Sequence, residues 1–248
     1  VALRTRRRHP HLNRRRAGPA TVSKDTPAAF EPGEIIARTW RVYRAHWRYL
    51  VAVAAIVFVP LGVAMLALRL LGWAGLLVST ALTLVAVFLV QGTLVYGVQA
   101  LVDEHRRPPS IALTFRESRR WFAPLALASL LATLSVFAGL LLLIVPGLVL
   151  LTWWAALSPV VVIERRPVLN SFHRARALVL GNGWPVFGVA VLTMVIQLAF
   201  SLALGLATTP LGSQSADFIG IAVGNTLSAP FVAVAWTLTY FALKGRSH

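Results

Sequence analysis

Apolar residues in this chain fall into long uninterrupted runs, and the short segments between them collect arginine. Runs of this length predict membrane-spanning helices, because a helix rising ~1.5 Å per residue needs about 20 residues to cross ~30 Å of hydrocarbon. Six runs qualify: roughly Tyr49–Leu68, Trp73–Gln99, Trp121–Val145, Leu148–Ile163, Trp184–Leu206 and Phe218–Leu243. The elements are helices and not lone strands, since a backbone in lipid must satisfy its own hydrogen bonds. Short links join the runs in pairs: Leu71-Gly72, Pro146-Gly147, and Thr208 to Asp217. A Pro-Gly pair is a turn signal, so the second link is expected at Pro146-Gly147.

A second pattern overlies the first. Before each pair of runs stand a proline, an arginine-rich amphipathic stretch and a tryptophan at the expected membrane edge. The first unit passes from Pro32 through Ile36, Arg38, Trp40, Arg41, Tyr43, Arg44 and Trp47 to Arg48. The second passes from Pro109 through Arg116, Arg119 and Arg120 to Trp121, and the third from Pro167 through Arg174 and Arg176 to Trp184. In the first, Ile36, Trp40, Tyr43 and Trp47 recur at helical spacing and the arginines take another face, as in a helix lying among lipid headgroups. The alternative is a plain cytoplasmic extension of the span. The predicted fold is therefore all-α: a polytopic bundle of six transmembrane helices in three parallel two-helix repeats, each preceded by an amphipathic interfacial helix. Trp40, Tyr43, Trp47, Trp121 and Trp184 are the expected interfacial anchors.

Charge sets the orientation. Of 24 Lys and Arg, 23 fall on one side once the runs are drawn as spans, and Arg69 is the exception. Basic residues mark cytoplasmic loops, which predicts a bacterial plasma-membrane protein with both termini in the cytoplasm. This also explains the net charge of +16 without nucleic acid as a partner. Residues 1–29 are rich in Arg, Pro, Thr and Ala and read as a disordered basic cytoplasmic tail, with residues 30–248 forming the transmembrane domain. The chain has no cysteine, which removes disulfides and thiolate chemistry.

Candidate chemistry is sparse. No ionisable residue lies near the centre of a run; all eight acids and six histidines fall in segments between runs or at their ends. Because intramembrane charges are the usual mark of ion and proton pathways, such pathways are not expected. His46, His105 and His173 fall one in each basic segment, but no paired-ligand spacing supports a metal, so neither metal nor cofactor is expected. Gln91, Gln99, Gln197 and Asn225 are the polar intramembrane residues, suited to interhelical hydrogen bonds or to lining a cavity. Ala216, Gly220, Gly224 and Ser228 form a small-residue stripe suited to close helix packing. Pro230 is expected to kink the last helix.

One resemblance emerges. Phe30-Glu31-Pro32-Gly33-Glu34-Ile35-Ile36, and the stretch Ile144–Trp184 with its Pro146-Gly147 opening, Ser171 and Leu178-to-Gly181 end, are similar to the bacterial family named for the glycerophosphoryl diester phosphodiesterase membrane domain. It would cover Phe30 to Leu243. The resemblance implies a stand-alone multi-pass membrane region. The catalytic domain of the fused members is a separate soluble barrel, and no matching residues occur here.

The expected function is non-enzymatic: a scaffold or lipid-interacting envelope factor, with Arg38, Arg41, Arg44, Arg48, Arg116, Arg119, Arg120, Arg174 and Arg176 gathering anionic headgroups. Membrane lipids are the expected partners, with other membrane proteins or a second copy as further ones. The alternative is a transporter of a neutral or amphiphilic substrate, which requires Gln91, Gln197 and Asn225 to face one cavity.

Overall fold

The computed structural model describes residues 31–102, 109–211 and 219–246. Among them every regular element is helical: α1 (Pro32–Leu68), α2 (Gly72–Val102), α3 (Ile111–Leu142), α4 (Ile144–Trp153), α5 (Leu157–Glu164), α6 (Val168–Val179), α7 (Gly183–Thr208) and α8 (Asn225–Lys244), with short 3₁₀ turns and one π-helical turn, Gly220–Gly224. Six helices are long and apolar enough to cross a membrane, α4 and α5 counting together as one. This is the composition of a multi-pass membrane protein. The expected tail (residues 1–29), Ala216 and His105 lie outside the described residues.

The three amphipathic segments take three different forms. The first is continuous with its span in the 37-residue α1, interrupted only by non-helical backbone at His46 (φ −124°, ψ 21°). The second runs into its span within α3 without a break, capped at its start by Ser110, whose hydroxyl accepts from the Leu113 amide at 3.3 Å. Only the third is a separate helix, α6. It ends because Gly181 adopts φ +87°, a conformation that costs glycine nothing and turns the chain into α7.

Two sequence expectations are corrected. The link between the third and fourth spans lies at Leu143, which is extended (φ −162°, ψ 141°), and Pro146-Gly147 belongs to the first turn of α4. Proline is tolerated there because first-turn amides have no helical acceptor, and Gly147 serves close packing: a Cβ on it would lie 2.7 Å from the Leu140 amide nitrogen. The fourth span is not one helix but breaks at Trp154–Ala156. Pro159 has no N–H to give the carbonyl of Ala155, so the helical ladder is already incomplete at this point. Pro230 lies within α8, which stays helical from Asn225 to Lys244, and an irregular π-helical turn precedes it at Gly220–Gly224.

The bundle is organised around α8, which packs on α1, α2, α5, α6 and α7. The pairs α1/α2 and α3/α4 pack as hairpins, whereas α8 lies more closely against α1 than against α7, its partner in the third pair. The largest wholly buried side chains include Tyr240, Phe58, Leu50, Leu94, Leu125 and Leu243. Since lipid tails are as apolar as leucine, this interior is held by close packing and hydrogen bonds and not by transfer out of water.

Candidate functional site

Tyr49 of α1 reaches the C-terminal part of α2 and the start of α3, and Pro32 at the head of α1 packs on Gly188 near the start of α7, so the basic segments approach one another at one end of the bundle. Tyr49 Oη and Thr114 Oγ1 lie 2.8 Å apart, and a Cβ on Gly97 would stand 2.9 Å from Tyr49 Oη. The guanidinium of Arg246 donates to Asn182 Oδ1 at 3.4 Å.

At the centre of this end is a charged cluster that the sequence did not disclose. Glu164 closes α5 with its side chain only 10% exposed. Arg174 Nε of α6 donates to both its carboxylate oxygens at 3.2 Å, Arg166 Nε lies 2.8 Å from Oε2, and the buried Tyr240 of α8 donates to Oε1 at 3.1 Å. One carboxylate thus ties together α5, α6 and α8. Between it and α6, Arg165 takes the left-handed conformation (φ 54°) at the end of α5 and places its guanidinium 5.6 Å from the Trp121 ring centre. The sequence signal was faint: one acid at the end of a span, beside arginines that already had a topological explanation.

The nine candidate arginines separate. Arg38, Arg41, Arg44 and Arg48 on α1 and Arg119 and Arg120 on α3 are exposed. No described acid pairs with these six. Arg116 is also exposed and lies 4.0 Å from Glu117. Arg174 is held by Glu164, and Arg176 stacks 4.4 Å from the centre of the Trp153 ring. The aromatic set separates too. Trp40, Trp47 and Trp184 are exposed and Trp121 is half-buried, whereas Tyr43 packs inward: its ring meets Phe231 edge-on and its hydroxyl donates to the Leu227 carbonyl at 3.0 Å.

Gln91, Gln197 and Asn225 share no cavity formed by the described residues. Gln91 lines a cleft of about 440 Å³ among α2, α3, the α4–α5 break and α8. Asn225 lines a separate space of about 130 Å³ between α7 and α8, together with Gly224 and Ser228. Gln197 and Gln99 line neither. Of the small-residue stripe, Gly224 and Ser228 face α7, where Gly224 leaves room for Leu204. His46 and His173 join no cluster of three metal-ligating side chains among the described residues.

Most buried hydroxyls serve their own helices. Thr39, Thr93, Thr193, Thr237 and Thr239 each donate to the carbonyl four residues earlier, at 2.7–2.8 Å, and Thr226 does the same to Ala222. Ser118 is enclosed without a partner among the described residues. No protein-family model, curated protein or solved structure matches the chain.

Proposed function

We propose that this chain is a non-enzymatic multi-pass protein of the bacterial plasma membrane, with its basic end in the cytoplasm, that gathers anionic lipid headgroups there. The observation that carries the reading is the set of six exposed arginines, Arg38, Arg41, Arg44, Arg48, Arg119 and Arg120, without described acidic partners and beside the exposed rings of Trp40 and Trp47. A surface-adjacent arginine contributes ~1 kcal/mol toward anionic lipid, so six together discriminate strongly between anionic and zwitterionic headgroups. Arg116 joins them with its charge partly offset by Glu117, while Arg174 and Arg176 act within the protein. The segments before the spans serve as interfacial helices in this reading, and the resemblance to the phosphodiesterase membrane-domain family rests on the Phe30-to-Ile36 run and the Ile144-to-Trp184 stretch. The separation of the three amides weighs against the transporter alternative.

The test is native mass spectrometry of the protein released from nanodiscs of mixed anionic and zwitterionic phospholipid. Changing the six arginines to Gln is expected to remove most of the enrichment in anionic lipid. Unchanged enrichment would refute the proposal. Reporter fusions near Arg106–Ser110 test the orientation, and a periplasmic signal there would invert it.

A further inference from the structure

The cleft beside the broken fourth span has an internal order. Its walls are Val87, Phe88 and Gln91 of α2, residues of α3 from Ser129 to Leu140, Leu151 to Ser158 across the break, and Trp236 of α8. Two close approaches set the register of these helices. A Cβ on Gly139 would stand 3.0 Å from Gly147 Cα, and one on Gly92 would meet both Leu125 and Val162. In antiparallel helices this places Ser129 level with Ser158 and Phe88, with Gln91 within a turn of them. Phe137, Leu140 and Leu151 lie toward the other end. All the amide and serine side chains of the cleft thus gather at the end nearer the arginines, and the far end is hydrocarbon apart from Thr133, whose hydroxyl is already bonded to the Ser129 carbonyl at 2.8 Å.

Those polar groups lack partners. Ser129 is 8% exposed and, unlike the buried threonines, its hydroxyl bonds to no described residue. The side chains of Gln91 and Ser158 likewise have no hydrogen bond among the described residues. Ala155, also in the wall, has a carbonyl that Pro159 cannot serve. Ser129 lies eight residues past Trp121, about 12 Å further into the bundle, where an unpaired polar group is costly. Irregular backbone at such depth is tolerated where it is buried or lines a cavity. No charged side chain lines the cleft. Phe137, Leu140 and Leu151 are exposed, so its apolar end opens to the lipid that surrounds a spanning bundle.

We infer that this cleft binds a neutral amphiphile: an alcohol-headed lipid whose hydroxyls meet Gln91, Ser129 and Ser158 and whose chain lies along Phe137, Leu140 and Leu151. The head both donates and accepts, as an amide and two hydroxyls require. It carries no charge, because nothing in the wall could compensate one. The volume of about 440 Å³ suits a head and a short length of chain, with the remainder of the chain in the bilayer. This inference needs only a membrane around the bundle and does not depend on the exposed arginines.

The experiment is photolabelling of the full chain in nanodiscs with three probes bearing a diazirine in the chain: a monoacylglycerol, a fatty acid at pH 8 and an alkane. Labelling of Leu151–Ser158 and Val87–Gln91 is normalised to that of the exposed α7 face at Met194, Leu198 and Leu202. The monoacylglycerol is expected to favour the cleft over the alkane by roughly fivefold or more, the ratio about one net hydrogen bond produces. Gln91→Leu with Ser129→Ala should abolish that preference, and Ala132→Phe should block labelling by all three probes. Equal cleft labelling by the alkane would mean ordinary bilayer filling and overturn the inference. Equal labelling by the fatty acid would overturn the neutral head, and a preference that survives Gln91→Leu with Ser129→Ala would overturn the assigned polar contacts.

Discussion

α7 and α8 are the last two spans in the sequence but live in different solvents. In the apolar window of the last span 72% of residues are buried inside the protein, against 17% for α7. The buried one is the less apolar of the two, and indeed the least apolar of the six spans. A helix facing lipid keeps a mostly apolar surface, whereas one enclosed by protein can carry Thr226, Thr237, Thr239 and Tyr240, each hydroxyl bonded to its own backbone or to a neighbour. Hydropathy here reads exposure to lipid, and its relative weakness in the last run marks the centre of the bundle.

The sharpest way to break this comparison is to enlarge a side chain in each helix. Ala233→Phe in α8 replaces a fully buried methyl and is expected to cost about 1–3 kcal/mol or to prevent folding, while Leu198→Phe in α7 faces outward and is tolerated. Thermal unfolding in detergent reads both, and equal tolerance would mean α8 is not central. Next in size is Glu164→Gln, which leaves Arg174 and Arg166 without their carboxylate. About 2 kcal/mol is expected, less than for a fully buried pair because Arg174 is 30% exposed. Tyr240→Phe should cost about 1–2 kcal/mol by removing its bond to Glu164, and the double variant should lose less than the sum because the two act on one bond. Additive losses would show that the tyrosine is held by packing alone. Smallest is Tyr43→Phe, at roughly 0.6–1 kcal/mol, the range of hydrogen bonds between membrane helices. A midpoint indistinguishable from the parent would leave the ring against Phe231 as the whole of its contribution.

The six crossings were legible from composition because the bilayer imposes a length and a polarity on each helix separately. The interruption at Trp154–Ala156 was not, although Pro159 stood in plain view. The same residue type left α8 unbroken at Pro230, so proline alone does not say where a helix gives way. Among the candidate residues, periodicity assigned Tyr43 to the aromatic membrane face with Trp40 and Trp47. Helical spacing does not distinguish lipid from a neighbouring helix, and Tyr43 met the neighbour. Likewise four intramembrane amides were visible as residue types, but which of them shared a space depended on helix register.

By itself, then, the sequence determined that this is an all-helical chain with six lipid-crossing lengths, an interior free of ionised groups and arginines massed between the runs. These properties belong to single segments and follow from the energy of each segment in hydrocarbon. Tertiary structure decided that Glu164 joins α5, α6 and α8, that six of nine arginines are left exposed with neither a described acid nor a stacked ring, that α8 is the hub, and that Gln91, Ser129 and Ser158 gather at one end of a cleft. Each of these depends on which helices approach and in what register, and apolar surfaces in lipid leave that choice to close packing at small residues such as Gly92, Gly139 and Gly147.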